Sequence, residues 1–280
     1  MTIEKPLVTC LNESHATSPL RHLTDCASIC YASIPKSSSR MAENLWNNGH
    51  KSMFRHVSKY YIIPINKVAT HIKNEWKGCP YIDFVTVEDN EYYVSTNLQY
   101  VKEHQLIFED FEEYEIDVLT AFNNPIFYQC KLLRYTFIVE TGIDITRELN
   151  RTSPNAIAEQ STRYVDFNKK IGIKFKKCHW MNNLNLYRKL LVKFMCKVDE
   201  WFYKISRSKY GLNLKPQDAR WCLFLDTMSK VAYTYSVKEW EHILELRYAG
   251  TTGIPHPDAM IVAKEIYTYL TEREGYKLSF

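Results

Sequence analysis

Four polar side chains with the chemistry of an anion site lie close together in this sequence, on either side of a proline. Two of them are arginines, whose planar guanidinium can donate to two oxygens of a phosphate or carboxylate at once. One interpretation is therefore an oxyanion site. The other is a solvated loop with two surface arginines, and the spacing alone favours that loop. The residues are Arg151, Glu159, Ser161 and Arg163.

A metal site is a further alternative, because the chain contains histidines near one another. His50 and His56 are too far apart in sequence to share one helical face, and His242 is distant from both. Metal ligands in proteins usually come at shorter, regular spacings. We therefore expect no metal.

The elements that would position these residues are helices and short strands. Apolar residues at helical spacing predict an amphipathic helix over 187–205, which suits the core or a subunit interface better than a cofactor site. Runs of β-branched and aromatic residues predict strands over 58–65 and 134–140. The predicted class is α+β, helix-rich with a modest antiparallel or mixed sheet. Further predictions are helices at 20–31, 41–47 (ending at Asn48-Gly49), 236–248 and from 217, and a hairpin of 82–87 with 91–95 around Glu88-Asp89-Asn90.

Bulk properties are those of an ordinary globular protein. Of 280 residues, 45% are hydrophobic and 24% charged, and the net charge of +4 is too small to predict a nucleic-acid partner. No apolar run is long enough to span a bilayer, and the N-terminus lacks a secretory signal. The eight cysteines form no CxxC pair, which favours reduced thiols. We expect a cytoplasmic protein that binds neither membrane nor nucleic acid.

The segment from Thr141 to Phe167 resembles the signature of the ThyX family, the flavin-dependent thymidylate synthases. The family pattern RHRxxSxNExSxR, laid over it without gaps, matches at Arg151, Glu159, Ser161 and Arg163. Glu148-Leu149 and Gln160 to Tyr164 extend the similarity to the SHELVRHR and SQESTRY context. The departures are Thr152, Ser153, Ala156 and Ala158.

Other blocks resemble the family in the same order. NGHKSMFRH at 48–56 resembles GHxSxxEH, with Arg55 in place of the glutamate. KPQDAR at 215–220 resembles SPQEAR, and SVKEWEHILELR at 236–247 resembles NLREWRHFFKLR. YYVSTNL at 92–98 and His256-Pro257 also match. The resemblance implies a ThyX-like α+β fold, and we expect a single catalytic domain over 1–280 with an insertion at about 67–130.

The family transfers a one-carbon unit from methylenetetrahydrofolate to C5 of dUMP, using FAD reduced by NADPH, in homotetramers whose active sites combine several subunits. The resemblance therefore implies a methyltransferase of this kind. It assigns Arg247 a catalytic role, since a guanidinium beside the uracil can stabilise developing negative charge. The implied nucleotide-binding residues are Arg151, Glu159, Ser161, Arg163, Arg220 and Arg247.

The implied flavin site departs further from the family. Thr152-Ser153 replace the His-Arg pair that contacts FAD, and Ser236 and Lys238 replace an asparagine and an arginine. We expect weaker FAD binding, because a serine hydroxyl cannot replace a bidentate guanidinium. The implied flavin-side or folate-side residues are His50, Ser52, Arg55, Lys238 and His242.

Two other functions stay open. The enzyme could make another C5 modification, such as hydroxymethylation of dUMP or dCMP, or the chain could be a nucleotide-binding homologue without flavin catalysis. Cys178-His179 is similar to the nucleophilic Pro-Cys-His of an unrelated kind of thymidylate synthase. Nothing around that dipeptide matches, so a packed or surface cysteine is the better interpretation.

Overall fold

The computed structural model describes residues 1–33, 37–88, 90–153, 155–168 and 172–280. These residues form the predicted α+β fold. The helices are α1 (Pro19–Tyr31), α2 (Ser38–Asn47), α3 (Thr70–Trp76), α4 (Leu98–Glu103), α5 (Gln105–Glu109), α6 (Val118–Phe122), α7 (Pro125–Gln129), α8 (Ile143–Asn150), α9 (Leu186–Arg207), α10 (Pro216–Ala219), α11 (Val237–Leu244) and α12 (Pro257–Thr268). The strands are β1 (Thr2–Glu4), β2 (Leu7–Cys10), β3 (Ser58–Pro64), β4 (Asp83–Val87), β5 (Glu91–Asn97), β6 (Glu115–Ile116), β7 (Arg134–Gly142), β8 (Ala156–Glu159), β9 (Lys174–Lys176) and β10 (Met228–Ser236).

An antiparallel sheet in the order β2-β7-β10-β8 lies at the centre of the core. Successive residues of a strand point to opposite faces. Phe137 and Tyr233 therefore face one side, where Phe137 packs edge-on against Trp240 of α11 at 5.1 Å between ring centroids. On the other side, α1 packs Cys26 and Ile29 against the sheet. Helices α8, α11 and α12 all contribute to the first face.

A second antiparallel sheet has the order β4-β5-β3-β6. Most of it comes from the predicted insertion, and it has its own aromatic cluster around Trp76, Phe108 and Phe111. The predicted hairpin is confirmed as the β4–β5 pair, although Asp89 of its turn lies outside the described residues. A short parallel pair, β1 with β9, makes the sheet content mixed.

Elements with a strong local signal are found where they were predicted. Helices α1, α2 and α9 and strands β3 and β7 agree within a few residues, and Gly49 after α2 has φ +78°, as a helix-ending glycine requires. The helix over 236–248 is α11 followed by a π-helical turn, Glu245–Ala249. None of the helices in the described part of the chain is long and apolar enough to cross a bilayer.

Three strands of the central sheet, β2, β8 and β10, were not predicted. β10 is buried on both faces, so its serines and threonines are inside and it lacks the alternation of a half-buried strand. β8 has only four residues and lies in the segment interpreted as a loop. It becomes a strand because it pairs with β10, with Val231 opposite Glu159.

Candidate active site

A cavity of about 620 Å³ opens beside the carboxyl end of β8. Three elements enclose it: α8, the turn that follows β8, and the segment that follows α10. Glu159, Ser161 and Arg220, which the sequence analysis singled out, all line it. The other lining residues are Ile143, Thr146, Arg147, Gln160, Thr162, Trp221, Leu223, Phe224 and Leu225.

The carboxylate of Glu159 is held in one orientation by α8. Thr146 Oγ1 donates to one carboxylate oxygen at 2.8 Å, and Asn150 Nδ2 donates to the other at 3.2 Å. Residues four apart lie on the same helical face, so both donors point the same way. The Tyr233 hydroxyl donates to Asn150 Oδ1 at 2.8 Å and fixes that amide in turn. The site therefore presents a preset acceptor.

The Ser161 hydroxyl shapes the turn after β8. Ser161 Oγ accepts from the backbone N–H groups of Arg163 and Tyr164 at 3.1 and 3.3 Å. Its own N–H donates to the carbonyl of Cys30 in α1 at 3.0 Å. The turn brings Thr162 Oγ1 within 3.1 Å of Arg220 Nη1. This contact links the turn to the segment that forms the opposite wall.

Arg147 was missed by the sequence analysis, although it lines the cavity and is exposed. It lies four residues before Arg151, and this helical spacing was the available signal. With Arg220 it gives the cavity two guanidiniums, while Trp221 and Phe224 form an apolar wall. A cavity with cations, hydroxyls, one carboxylate and a ring-sized apolar wall can bind a small anion that carries a planar ring.

Arg151 and Arg247 lie at the carboxyl end of α8 and do not line this cavity. Arg247, in the π-helical turn, donates from Nε and Nη2 to the carbonyl of Glu148 at 3.1 and 2.9 Å. The Glu148 carboxylate lies 3.5 Å from Arg247 Nη2 and 4.0 Å from Arg151 Nη1. Arg247 thus satisfies a carbonyl in the last turn of α8, which has no partner within the helix.

Arg163 also lies outside the lining. Its Nε donates to Gln217 Oε1 of α10 at 3.5 Å, and its guanidinium lies over the Tyr164 ring at 5.3 Å. The six residues implied for the nucleotide site are thus divided. Three line the cavity, Arg163 lies beside it, and Arg151 and Arg247 contact Glu148.

The sequence model of the thymidylate synthase complementing proteins matches residues 130–273. That range covers half of the chain. It includes the residues that line the cavity and all six residues implied for the nucleotide site. The chain belongs to the ThyX family. No curated protein sequence matches this chain.

Three solved structures are similar to it at low identity. A UMP/dUMP methylase, PolB, from Streptomyces cacaoi bound with 5-Br dUMP is 20% identical over 50% of this chain and 66% of that chain (TM-score 0.40). The same protein bound with 5-Br UMP is 13% identical over 97% and 92% (TM-score 0.44). Thymidylate Synthase X from Helicobacter pylori with FAD and dUMP is 16% identical over 65% and 90% (TM-score 0.39).

The residues implied for the flavin side of this ThyX family member are spread over several surfaces. His50 lines another cavity, of about 670 Å³, with Tyr31 and Arg40. Ser52 is exposed in the 3-10 helix Lys51–His56. His242 Nδ1 lies 3.7 Å from a carboxylate oxygen of Glu245. No metal-ligating cluster is found among the described residues.

The other implied flavin positions contact protein groups of the same chain. Arg55 Nε donates to Gln99 Oε1 at 2.8 Å. Lys238 Nζ lies 3.6 Å from Asp83 Oδ1. Ser153 Oγ donates to the Glu239 carboxylate, and burial raises the pKa of Glu239 to about 7. Ser153 and Lys238, two positions that the family resemblance assigns to the flavin side, therefore each contact a carboxyl group of the same chain.

Proposed function

We propose that the chain is a ThyX-type enzyme that binds a pyrimidine deoxynucleotide monophosphate, with dUMP as the first candidate, and adds a one-carbon unit from methylenetetrahydrofolate to C5. The observation that carries the proposal is the shared cavity: Glu159, Ser161 and Arg220, assigned to the nucleotide by family resemblance, meet in one place. Arg220 is distant in sequence from the other two, so only the fold brings the three together.

The chemistry of the cavity supports this substrate class. Arg220 and Arg147 supply charge-assisted donors for a phosphate, and Thr162 holds Arg220 at the rim. The preset carboxylate of Glu159 accepts a hydrogen bond from the sugar or the base. Trp221 offers an apolar ring surface for the pyrimidine. In this proposal the protein binds and orients the nucleotide, and excludes water along the apolar wall.

For Arg151 and Arg247 we propose a role that depends on the association of several subunits. The resemblance implies active sites built from several subunits of a homotetramer. Because these two arginines lie outside the cavity of their own chain, we propose that they complete the site of a neighbouring subunit. Arg247 then acts on the pyrimidine, and its contact with Glu148 sets the position of its guanidinium.

A thermal-shift series tests the nucleotide proposal. We expect dUMP to stabilise the protein more than dTMP or dGMP at equal concentration, with dCMP included because cytosine stays an alternative. Ligand at a hundredfold excess over its Kd adds about 2.7 kcal/mol. Arg220→Ala should abolish the shift, while Arg21→Ala, a helix-surface arginine paired with Asp25, should keep it. Equal shifts with all four nucleotides would contradict the proposal.

Hydroxymethylation is a second candidate, favoured by the carboxylates at the flavin side. Methylene reduction to methyl needs a placed hydride donor, whereas addition of water to the methylene carbon gives hydroxymethyl. Mass spectrometry of the product, after incubation with dUMP or dCMP, methylenetetrahydrofolate, FAD and NADPH, separates the two. A methyl product supports thymidylate synthesis, and a product heavier by one oxygen supports the second candidate. No product, with binding retained, supports a nucleotide-binding homologue.

A further inference from the structure

A short piece of the predicted insertion, Pro80–Asp83, lies against the flavin-side residues. It leads into β4 and is attached to β5 of its own sheet: the carbonyl of Tyr81 accepts from Thr96 Oγ1 at 2.8 Å and from Asn97 Nδ2 at 3.4 Å. Two hydrogen bonds on one carbonyl fix the position of the backbone. The segment is thus part of a sheet and not a free loop.

From this position the segment contacts Asn155, in the stretch that resembles the family signature, and the 3-10 helix Lys51–His56. Asn155 Nδ2, two residues after Ser153, donates to the carbonyl of Pro80 at 2.9 Å. The guanidinium of Arg55 lies over the ring of Tyr81 at 4.5 Å, within the range of a cation–π contact. Arg55 is a position where this chain departs from its family, and Asn155 lies two residues after another, Ser153.

The Asp83 carboxylate contacts two further positions of departure, Ser236 and Lys238. Ser236 Oγ donates to Asp83 Oδ2 at 2.8 Å, and Lys238 Nζ lies 3.6 Å from Asp83 Oδ1. Lys238 is 67% exposed, so the hydrogen bond from Ser236 defines the geometry better than the ion pair does. The anion nearest to these two residues is therefore supplied by the chain itself.

A second acidic residue, Glu239, lies close to the segment Pro80–Asp83. Its carboxylate accepts from Ser153 and from Asn155 Nδ2 at 3.1 Å. Its pKa is raised, first by burial and further by the Asp83 carboxylate. A pyrophosphate placed here would face the Asp83 carboxylate, and like charges in a partly buried site repel each other.

We propose that Pro80–Asp83 is a built-in occupant of the flavin side of the site. The Asp83 carboxylate takes the position of an anionic group of FAD, and FAD reaches Ser236 and Lys238 only when the segment is displaced. The inference rests on the proposed function, because a ThyX-type enzyme uses a flavin. It adds that the insertion controls access to the cofactor position.

Titration of the full-length protein with FAD, followed by flavin fluorescence at one salt concentration, tests the proposal. We expect Asp83→Asn to bind FAD at least tenfold more tightly than the wild type. The amide oxygen of the substituted side chain can still accept from Ser236, so the segment keeps its fold while losing its charge. Asp83→Ala removes that hydrogen bond as well and should bind FAD at least as tightly. Asp110→Asn, an exposed carboxylate elsewhere in the insertion, should match the wild type.

Two results would overturn the proposal: equal FAD affinity in wild type and both Asp83 variants, or no binding by any of them. The dUMP thermal shift, measured on the same samples, keeps the two proposals distinguishable. A variant that retains the dUMP shift is folded at its nucleotide site. If dUMP gives no thermal shift with the wild type, the nucleotide proposal is contradicted. The comparison of FAD affinities would still decide the role of Pro80–Asp83.

Discussion

At the scale of single residues, the orientation of Glu159 is the most exacting feature of the cavity. Both carboxylate oxygens accept from donors, Thr146 Oγ1 and Asn150 Nδ2. A substitution that turns one oxygen into an NH₂ group removes the negative charge of the acceptor, and places a donor against a donor where the NH₂ group faces Asn150 Nδ2. The cost of losing a hydrogen bond to a charged group is about 1.5–3 kcal/mol.

We therefore predict that Glu159→Gln weakens dUMP binding by about tenfold or more, since each 1.4 kcal/mol is a factor of ten. Calorimetric titration gives the Kd. The matched control is Glu140→Gln, a carboxylate on β7 that pairs with Lys230 and does not line the cavity. Unchanged affinity in Glu159→Gln would show that this carboxylate does not contact the nucleotide.

A second prediction at this scale concerns pH. Burial raises the pKa of Glu239 from 4.5 to about 7, and burial also raises the pKa values of Glu13 and Asp199 to about 7. At pH values between the ordinary pKa of each carboxyl group and about 7, the folded state therefore binds more protons than the unfolded state. Stability should fall as the pH rises from about 4 to about 7, by at most about 3–4 kcal/mol per carboxyl group.

Urea unfolding at a series of pH values measures this slope. Glu239→Gln removes one titrating group, so its stability should change less with pH than that of the wild type. The control is Glu245→Gln, a partly exposed glutamate in the following turn. A Glu239→Gln slope identical to the wild type would mean that Glu239 is ionised in the folded protein throughout this range.

At the scale of elements, α8 is held by contacts at both of its ends. At its first turn, Lys176 of β9 pairs with Asp144 at 2.7 Å and with Asp258 of α12 at 2.8 Å. The Lys176 side chain is 0% exposed. At its last turn, Arg247 donates to the carbonyl of Glu148. Since α8 supplies Thr146, Arg147 and Asn150, these contacts set the geometry of the cavity wall.

We predict that Lys176→Ala lowers the free energy of unfolding by about 3–5 kcal/mol, because it leaves two carboxylates without their buried partner. Lys174→Ala, on the same strand, is the control: its side chain is 44% exposed and pairs with Glu4. An exposed pair contributes about 0–1 kcal/mol. Chemical denaturation measures both, and equal losses would contradict the assignment of a central role to Lys176.

At the scale of the whole molecule, one face of α9 is unusually apolar for a solvent-exposed surface. Leu190, Phe194 and Trp201 are 56%, 63% and 56% exposed in the single chain. Contiguous exposed apolar surface of this kind indicates a protein interface. It supports the proposed tetramer, in which each active site needs groups from a neighbouring subunit.

We predict a tetramer at micromolar concentration by light scattering, and smaller species for Leu190→Lys combined with Phe194→Glu. The dUMP thermal shift should be lost together with the assembly. Leu106→Lys is the control, since Leu106 is 83% exposed on α5, away from α9 in sequence. A monomeric wild type that still shows the dUMP shift would contradict both the assembly and the shared site.

Local sequence determined much of this protein. The 3.6-residue periodicity of α9 and the β-branched runs of β3 and β7 identify those elements without reference to the rest of the chain, because side-chain spacing sets which face is apolar. The order of the motif blocks identified the family, and Glu159, Ser161 and Arg220 were assigned to the nucleotide from it. Weaker local signals, as in β8 and β10, did not suffice.

Only the tertiary structure decided which of those residues meet. Asp83 and Ser236 are separated by 153 positions and Asn155 and Pro80 by 75, yet each pair is hydrogen-bonded. No periodicity encodes such contacts, since they depend on how the two sheets pack and on where β8 pairs with β10. For the same reason, the separation of Arg151 and Arg247 from the cavity, and the contacts of Pro80–Asp83 that led to our proposal, became visible only in the folded chain.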